Sequence, residues 1–463
     1  MTVKAIETSN KTPPKRLSQR QLVAIIFFTV SGGCYGLEEM VHSLKPAIAL
    51  ICMILLPAMW AFPVTLMAGE LTSRMPSYGG SYAWVKSTLG EFWSVQEGWW
   101  TLCYTCLDLA LYPVLFADCA MLLLPSHLRE SKFAQLHWLL CIAVILVGTI
   151  LNYVGITKVG FGSIVTFVLG SAPFAVLIVL AVVHRSLTLS NARAVFAPFD
   201  WRIGYQALAV GLSIAMWSYS GWDNVGAFAD EVETPERTYP SALLMSIPIV
   251  TTLYVLPLLA GIAVAPKLEF WSSSAGWPVI ASKVGGKLLF SLMELGASFS
   301  YMALFFDQLL YCSRFPSVMA RDGYFPRLLA KRNRRKAPTF GLIVVSAAAC
   351  ALVVFSFDKL VVMEMVLYGG ALILEFLALF RLRRQQGASP WFEIPLGGAG
   401  LGVTFFCAEF PFAAILAVTL KGHLFTPREL CVTSAALLVG VLLFVGRNLT
   451  IQRNRASETS IDN

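Results

Sequence analysis

The chain repeats one pattern along its length: a run of roughly twenty apolar residues, then a short polar stretch. A hydrocarbon core about 30 Å thick takes about 20 residues of helix to cross, and backbone polar groups in lipid must be satisfied within the segment. Long continuous runs therefore predict membrane-crossing helices; a β-barrel would show short alternating segments. The runs span approximately 20–42, 47–72, 91–124, 136–153, 160–183, 205–231, 240–265, 278–312, 338–357, 360–380, 399–420 and 428–446. Composition agrees. Hydrophobic residues are 57% of the 463 and charged residues 13%, against about 25% charged in soluble domains. This excludes a soluble enzyme, a nucleic-acid-binding domain and a disordered chain. The expected class is an all-α polytopic membrane protein with about 12 transmembrane helices.

Lys and Arg set the orientation. With a cytoplasmic N-terminus, most of the 35 basic residues fall in cytoplasmic segments, and the largest block runs from Arg314 to Lys336. Both termini are expected in the cytoplasm, with the protein integral to the plasma (inner) membrane. The basic block reads as a topology signal beside membrane lipid, not as a nucleic-acid site. Residues 1–19 form an N-terminal tail and 449–463 a C-terminal tail, and no cleaved signal peptide is expected. Ten scattered cysteines give no disulfide framework, and Cys103-x-x-Cys106 lies inside an apolar run.

Two runs carry unusual interruptions: Ser31-Gly32-Gly33-Cys34-Tyr35-Gly36 in the first and Ser218-Tyr219-Ser220-Gly221-Trp222-Asp223-Asn224 in the sixth. Glycine costs about 1 kcal/mol relative to alanine inside a helix, so these clusters favour local unwinding. The breaks lie five runs apart, at matching positions of a five-plus-five repeat. That divides the chain into 20–185, 186–380 and a final pair of helices in 381–448. Broken helices at corresponding positions are the sequence pointer to a transporter substrate site near the midplane.

Acids follow both breaks: Glu38 and Glu39 after the first, Asp223 in the second. Further acids lie within runs, among them Asp108, Glu294, Asp307 and Glu364, with almost no Lys or Arg beside them in sequence. Unpaired carboxylates in hydrocarbon cost at least about 2.5 kcal/mol each, so they call for hydration or for a mobile partner such as a proton or an organic cation. Hydration is the expectation for Glu70, Glu97, Glu375 and Glu409, near run ends, and a functional role for Glu38, Glu39, Asp108 and Asp223. Tyr35, Trp217, Tyr219, Trp222 and Tyr301 fall near the centre, and aromatic faces attract ammonium groups by roughly 0.5–2 kcal/mol. The Walker motif G-x-x-x-x-G-K-[ST], H-E-x-x-H and G-x-S-x-G do not occur, and the five histidines are not paired for a metal. No enzyme activity, cofactor or metal site is expected.

Several stretches together resemble the amino acid–polyamine–organocation superfamily and, within it, the plant-type polyamine:proton symporter and L-type amino acid transporter branch. They are Val30-Ser-Gly-Gly-Cys-Tyr-Gly-Leu-Glu38, Tyr78-Gly79-Gly80, Gln96-Glu97-Gly98, Asp108 through Tyr112-Pro113 to Asp118, Trp222-Asp223, Glu231-Val-Glu-Thr-Pro235, Ala320-Arg-Asp-Gly323 and Leu374-Glu-Phe376. The resemblance implies a LeuT-like five-plus-five inverted repeat with helices 1 and 6 broken, and proton-coupled uptake of a small amine or amino acid by alternating access. It places substrate contacts on Ser31, Gly32, Gly33, Glu38, Glu39, Trp222 and Asp223. Tyr35, Tyr219 and Tyr301 join them as aromatic candidates, and Asp108, Asp223 and Asp307 are candidates for coupling. Cys34-Tyr35 and Phe305-Phe306-Asp307-Gln308 depart from the family pattern.

Two substrate classes stay open from the residues. A polyamine needs acids and aromatics; an amino acid also needs N–H groups for its carboxylate, which the break at Gly32 and Gly33 could supply. A polyamine or related cation is the first reading and an amino acid permease the alternative. Intramembrane carboxylates favour H⁺ over Na⁺ as the coupling ion.

Overall fold

A computed structural model describes residues 19–31, 33–76, 80–122, 124–154, 161–186, 188, 202–224, 232, 234–271, 276–331, 333, 338–385 and 390–461. They are helical throughout, with no β-strand among them. Helix α1 spans Gln19–Val30 and α2 Glu38–Leu44. Helix α3, Pro46–Arg74, contains a π turn at Pro57–Ala61. Then come α4 (Gly80–Leu89), α5 (Glu91–Leu122), α6 (Ser126–Val154), α7 (Phe161–Val183), α8 (Tyr205–Trp217), α9 (Pro235–Val264) and α10 (Gly276–Cys312). The chain closes with α11 (Arg314–Arg321), α12 (Thr339–Leu352), α13 (Phe357–Arg384), α14 (Gly397–Lys421) and α15 (Pro427–Ile461).

Eight helical stretches among the described residues are long and apolar enough to cross a membrane, and α8, α12 and Val168–Val183 are shorter apolar helices. Burial sorts them. In α5 and α13 the most apolar window is 78% buried, but in α15 it is 17%. The first two are the centre of the bundle; α15 presents Leu438 and Leu442 outward, and α6 does the same with Leu146 and Ile150. Exposed leucine and isoleucine in such rows suit lipid, not water. Small residues let the central helices approach. A Cβ on Gly98 would stand 2.7 Å from the Tyr82 ring, which ties α4 against α5.

Two expectations are adjusted. The last helix does not end near residue 446 but continues to Ile461, so the expected C-terminal tail is largely helical. The sixth apolar run is helical only to Trp217; residues 225–231, with the end of that run and Glu231, lie outside the described residues, as does Gly32.

Candidate functional site

The first interruption is real at the level of the backbone. Helix α1 stops at Val30, α2 starts at Glu38, and Gly33 and Gly36 take φ of 85° and 91°, values that cost a side-chain-bearing residue but not glycine. The amides freed here find partners at once. Gly33 N donates to Ser31 Oγ at 3.3 Å and Gly36 N to Glu38 Oε2 at 2.8 Å. Trp277 holds the segment from α10, its N reaching Glu38 Oε1 at 3.4 Å and its Nε1 the carbonyl of Cys34 at 2.8 Å.

The sixth run breaks after Trp217. Tyr219 N and Ser220 N make turn hydrogen bonds to Met216 O and Trp217 O, at 2.9 and 3.1 Å. Gly221, at φ 90°, donates its N–H to Tyr368 Oη at 3.0 Å. That phenol in turn donates to Asp223 Oδ1, and Asn224 Oδ1 accepts from Tyr104 at 2.9 Å and Tyr311 at 2.7 Å.

Between the two breaks lies a narrow cavity of about 50 Å³. Ser31 and Gly33 form one wall, Ser218, Ser220, Gly221 and Asn224 another, with Asp108 and Tyr112 of α5 and Glu364 and Tyr368 of α13 between them. Tyr35, Trp217, Tyr254 and Tyr301 supply aromatic faces, Tyr35 and Tyr301 meeting edge to face at 5.9 Å. Asp108 accepts from Trp217 Nε1 at 3.0 Å and from Tyr112 Oη at 3.0 Å. Glu364, 3% exposed, has one oxygen with no hydrogen-bond partner among the described residues. No Lys, Arg or His is among the described lining residues. Two carboxyls ringed by phenols and one indole can neutralise an ammonium and hold its methylene stem.

The structure brings Ser31, Gly33, Tyr35, Asp108 and Tyr301 together at this cavity. Other expected residues stand elsewhere. Glu38 is turned away, because its carboxylate caps the amides of Gly36 and Trp277. Glu39, next on the helix, is outside the lining set. Tyr219 and Trp222 are fully buried behind the wall, Tyr219 Oη donating to Met53 O at 2.9 Å and Trp222 Nε1 to Tyr219 O at 2.8 Å. Asp223 sits one side chain back, behind Tyr368. Asp307 is also outside, since its neighbour Gln308 takes the cavity side of α10. Tyr104, Tyr112, Glu364 and Tyr368 were not expected together; their signal is the helical spacing of polar side chains along α5 and α13.

Three of the four acids near run ends are closed off from bulk solvent, and Glu409 is half-buried. Glu70, Glu97 and Glu375 are each at most 1% exposed. Glu70 accepts from Arg74 Nε and Arg383 Nε, both at 2.7 Å, and from Ile394 N at 2.9 Å; Arg383 comes from the far end of α13, which the linear sequence could not place. Asp322, after α11, accepts from Tyr82 Oη at 2.6 Å and from Lys86 Nζ at 2.5 Å. Burial alone would raise the Asp322 carboxyl; the hydrogen bonds from Lys86 and Tyr82 and the charges of Lys86 and Arg447 outweigh it and hold it below the usual carboxylate range. Arg447 pairs with Glu91 at 2.9 Å beside it.

The comparisons with known proteins agree with this architecture. The amino acid permease family model matches residues 17–444. A probable polyamine transporter of Arabidopsis thaliana is 32% identical over 84% of this chain and 78% of its own. The polyamine transporter PUT1 of rice (Oryza sativa subsp. japonica) is 31% identical over 93% and 78%, and the polyamine transporter RMV1 of Arabidopsis thaliana 30% over 93% and 84%. Among solved structures, MhsT in complex with L-phenylalanine superposes with a TM-score of 0.60 over 89% of this chain and 100% of that one, at 16% identity, and so shares its fold.

Proposed function

The chain belongs to the amino acid permease family, whose members here are membrane transporters and not enzymes, and from that premise we propose that it takes up polyamines or related organic cations by proton-coupled alternating access. The observation that carries this reading is the cavity wall: Asp108 and Glu364 with tyrosines and Trp217, and no cationic side chain among the described lining residues. Relatives named as polyamine transporters support it. The contacts we assign are Ser31, Gly33, Tyr35, Asp108 and Tyr301, with Trp217, Glu364 and Tyr368 added and Asp223 behind them. A proton is the coupling ion we assign, because the acids at the cavity have no fixed cation to neutralise them.

An amino acid is the second reading, favoured by a broken first helix that faces the cavity with Ser31 and Gly33. Its carboxylate would need backbone N–H groups. Gly33 N is turned to Ser31 Oγ and Gly36 N to Glu38, which favours the polyamine instead. We also assign twelve membrane spans in two inverted halves, 20–185 and 186–380, followed by 381–448, with both termini cytoplasmic at the plasma membrane.

Competition in proteoliposomes tests the reading. Labelled spermidine driven by an inward proton gradient should accumulate and be displaced by unlabelled polyamines. Strong competition by zwitterionic amino acids, with spermidine neither transported nor inhibitory, would replace it with the amino acid permease.

A further inference from the structure

Two helices at the centre of the fold share a spacing. Glu97 and Asp108 on α5 are eleven residues apart, and so are Glu364 and Glu375 on α13. Eleven residues make close to three turns, so each pair lies on one face, about 16 Å apart along the axis. α5 and α13 form the most extensive helix–helix contact among the described residues. Asp108 and Glu364 lie within electrostatic reach of each other, and so do Glu97 and Glu375. The carboxyls therefore fall in two tiers. The first lines the cavity; the second does not.

The second tier is sealed and acidic. Glu97 is 0% exposed and Glu375 1%. Glu97 Oε1 accepts from Thr101 at 2.8 Å, while Glu97 Oε2 and both Glu375 oxygens have no hydrogen-bond partner among the described residues. The titratable groups that face Glu375 from the packed elements are Glu97 of α5, Asp223 of the sixth-run break and Glu409 of α14, with the phenols of Tyr104, Tyr311 and Tyr368 around them. The nearby cations are engaged: Arg74 and Arg383 by Glu70, Lys86 by Asp322. Two buried carboxylates within reach of each other's charge are costly away from water, and one bound proton relieves that cost. Asp223 joins the tiers. It takes its hydrogen bond from Tyr368, a cavity residue, and its free Oδ2 lies in the field of Glu97 and Glu375.

We propose that Glu97 and Glu375 form a second proton site, separate from the substrate cavity, that takes the coupling proton from Asp223 and releases it at the end of the bundle marked by Glu91 and Asp322. The proposal rests on the proton-coupled reading above. In the step, the O–H bond of protonated Asp223 breaks, leaving its carboxylate, and an O–H bond forms on the Glu375 carboxylate; the proton then leaves to water beyond Glu97. No electron moves, and the substrate takes no part.

The test uses the full chain in proteoliposomes with a pH-sensitive dye inside and labelled spermidine. Three quantities are read: accumulation under a proton gradient, proton entry per spermidine, and spermidine–spermidine exchange without a gradient. In Glu375→Gln and Glu97→Gln exchange should persist, while proton entry with substrate is lost and, with the membrane potential clamped at zero, the accumulation ratio falls to about one, the value of an uncoupled carrier. Glu375→Asp, which keeps a carboxyl, should restore coupling. Unchanged proton entry in both Gln variants overturns the proposal. So does loss of exchange in Glu375→Gln that Glu375→Asp does not rescue, which marks a structural role. Wild-type protein that moves spermidine without protons defeats the coupling reading itself, a result distinct from either.

Discussion

Trp217 Nε1 donates to Asp108 Oδ1 at 3.0 Å, tying the last helical residue before the second break to the middle of α5. The bond fixes the Trp217 ring against the Asp108 carboxylate, and under the proposed function this is the pair that an incoming ammonium meets. Asp108→Asn should weaken spermidine binding by about 1.5–3 kcal/mol, the range of a charge-assisted hydrogen bond. Trp217→Phe keeps an aromatic face but loses the donor, and should cost about 0.5–1.5 kcal/mol. Equilibrium binding of labelled spermidine to the two purified variants and their double measures both, and strictly additive losses would separate Trp217 from Asp108.

Glu38 should behave as a structural residue. Glu38→Ala leaves the amides of Gly36 and Trp277 without their acceptor, and an unsatisfied buried donor costs about 1–3 kcal/mol. Thermal unfolding in detergent should show the loss, while the folded fraction binds spermidine with wild-type affinity. A large affinity loss at normal stability would return Glu38 to the cavity.

Arg383 is the main support of Glu70. Arg383→Gln leaves a fully buried carboxylate with only Arg74 for charge, and breaking a buried pair costs about 3–5 kcal/mol. The double variant with Glu70→Gln should recover part of that stability, because the orphaned charge is gone. Melting temperatures of the two single variants and the double decide it, and additive losses would count against the pairing.

Asp322 makes stability depend on acid pH. Its folded carboxyl is held below the ordinary value by Lys86, Tyr82 and Arg447, so its contribution is present above the unfolded carboxylate pKa of about 3.9 and is lost as pH falls through the lower folded value. Melting curves from neutral to acid pH should therefore show wild type and Asp322→Asn converging in acid. A gap of constant size across that range would remove Asp322 as its source.

How much of this was legible in sequence follows from what a linear reading can see. Apolar runs gave the helices, since bilayer thickness fixes their length, and the break at Gly33 and Gly36 announced itself through residues that tolerate positive φ. Lateral neighbours were invisible. Glu70 read as a wet acid because Arg383 is 313 residues away. Glu38 read as a ligand because nothing nearby in sequence reveals that Trp277 turns it toward the backbone. The run Glu97, Thr101, Tyr104, Asp108 was visible as a polar stripe at helical spacing. The stretches that carry the family resemblance take in Glu97 and Asp108 separately and do not show that the four share one face.

The two pieces of the first run are fastened to different partners. α1 packs along α9, where Gln19 Nε2 meets Ser241 Oγ at 2.7 Å. α2 packs on α8 and is held to Trp277 through Glu38. A single rod would have to carry its whole length whenever either end moved. Jointed at Gly33 and Gly36, it would let one end swing while the other stays put, as the proposed alternating access requires. A covalent tether between α1 and α9 should therefore leave transport running, and one that splints α1 to α2 should stop it.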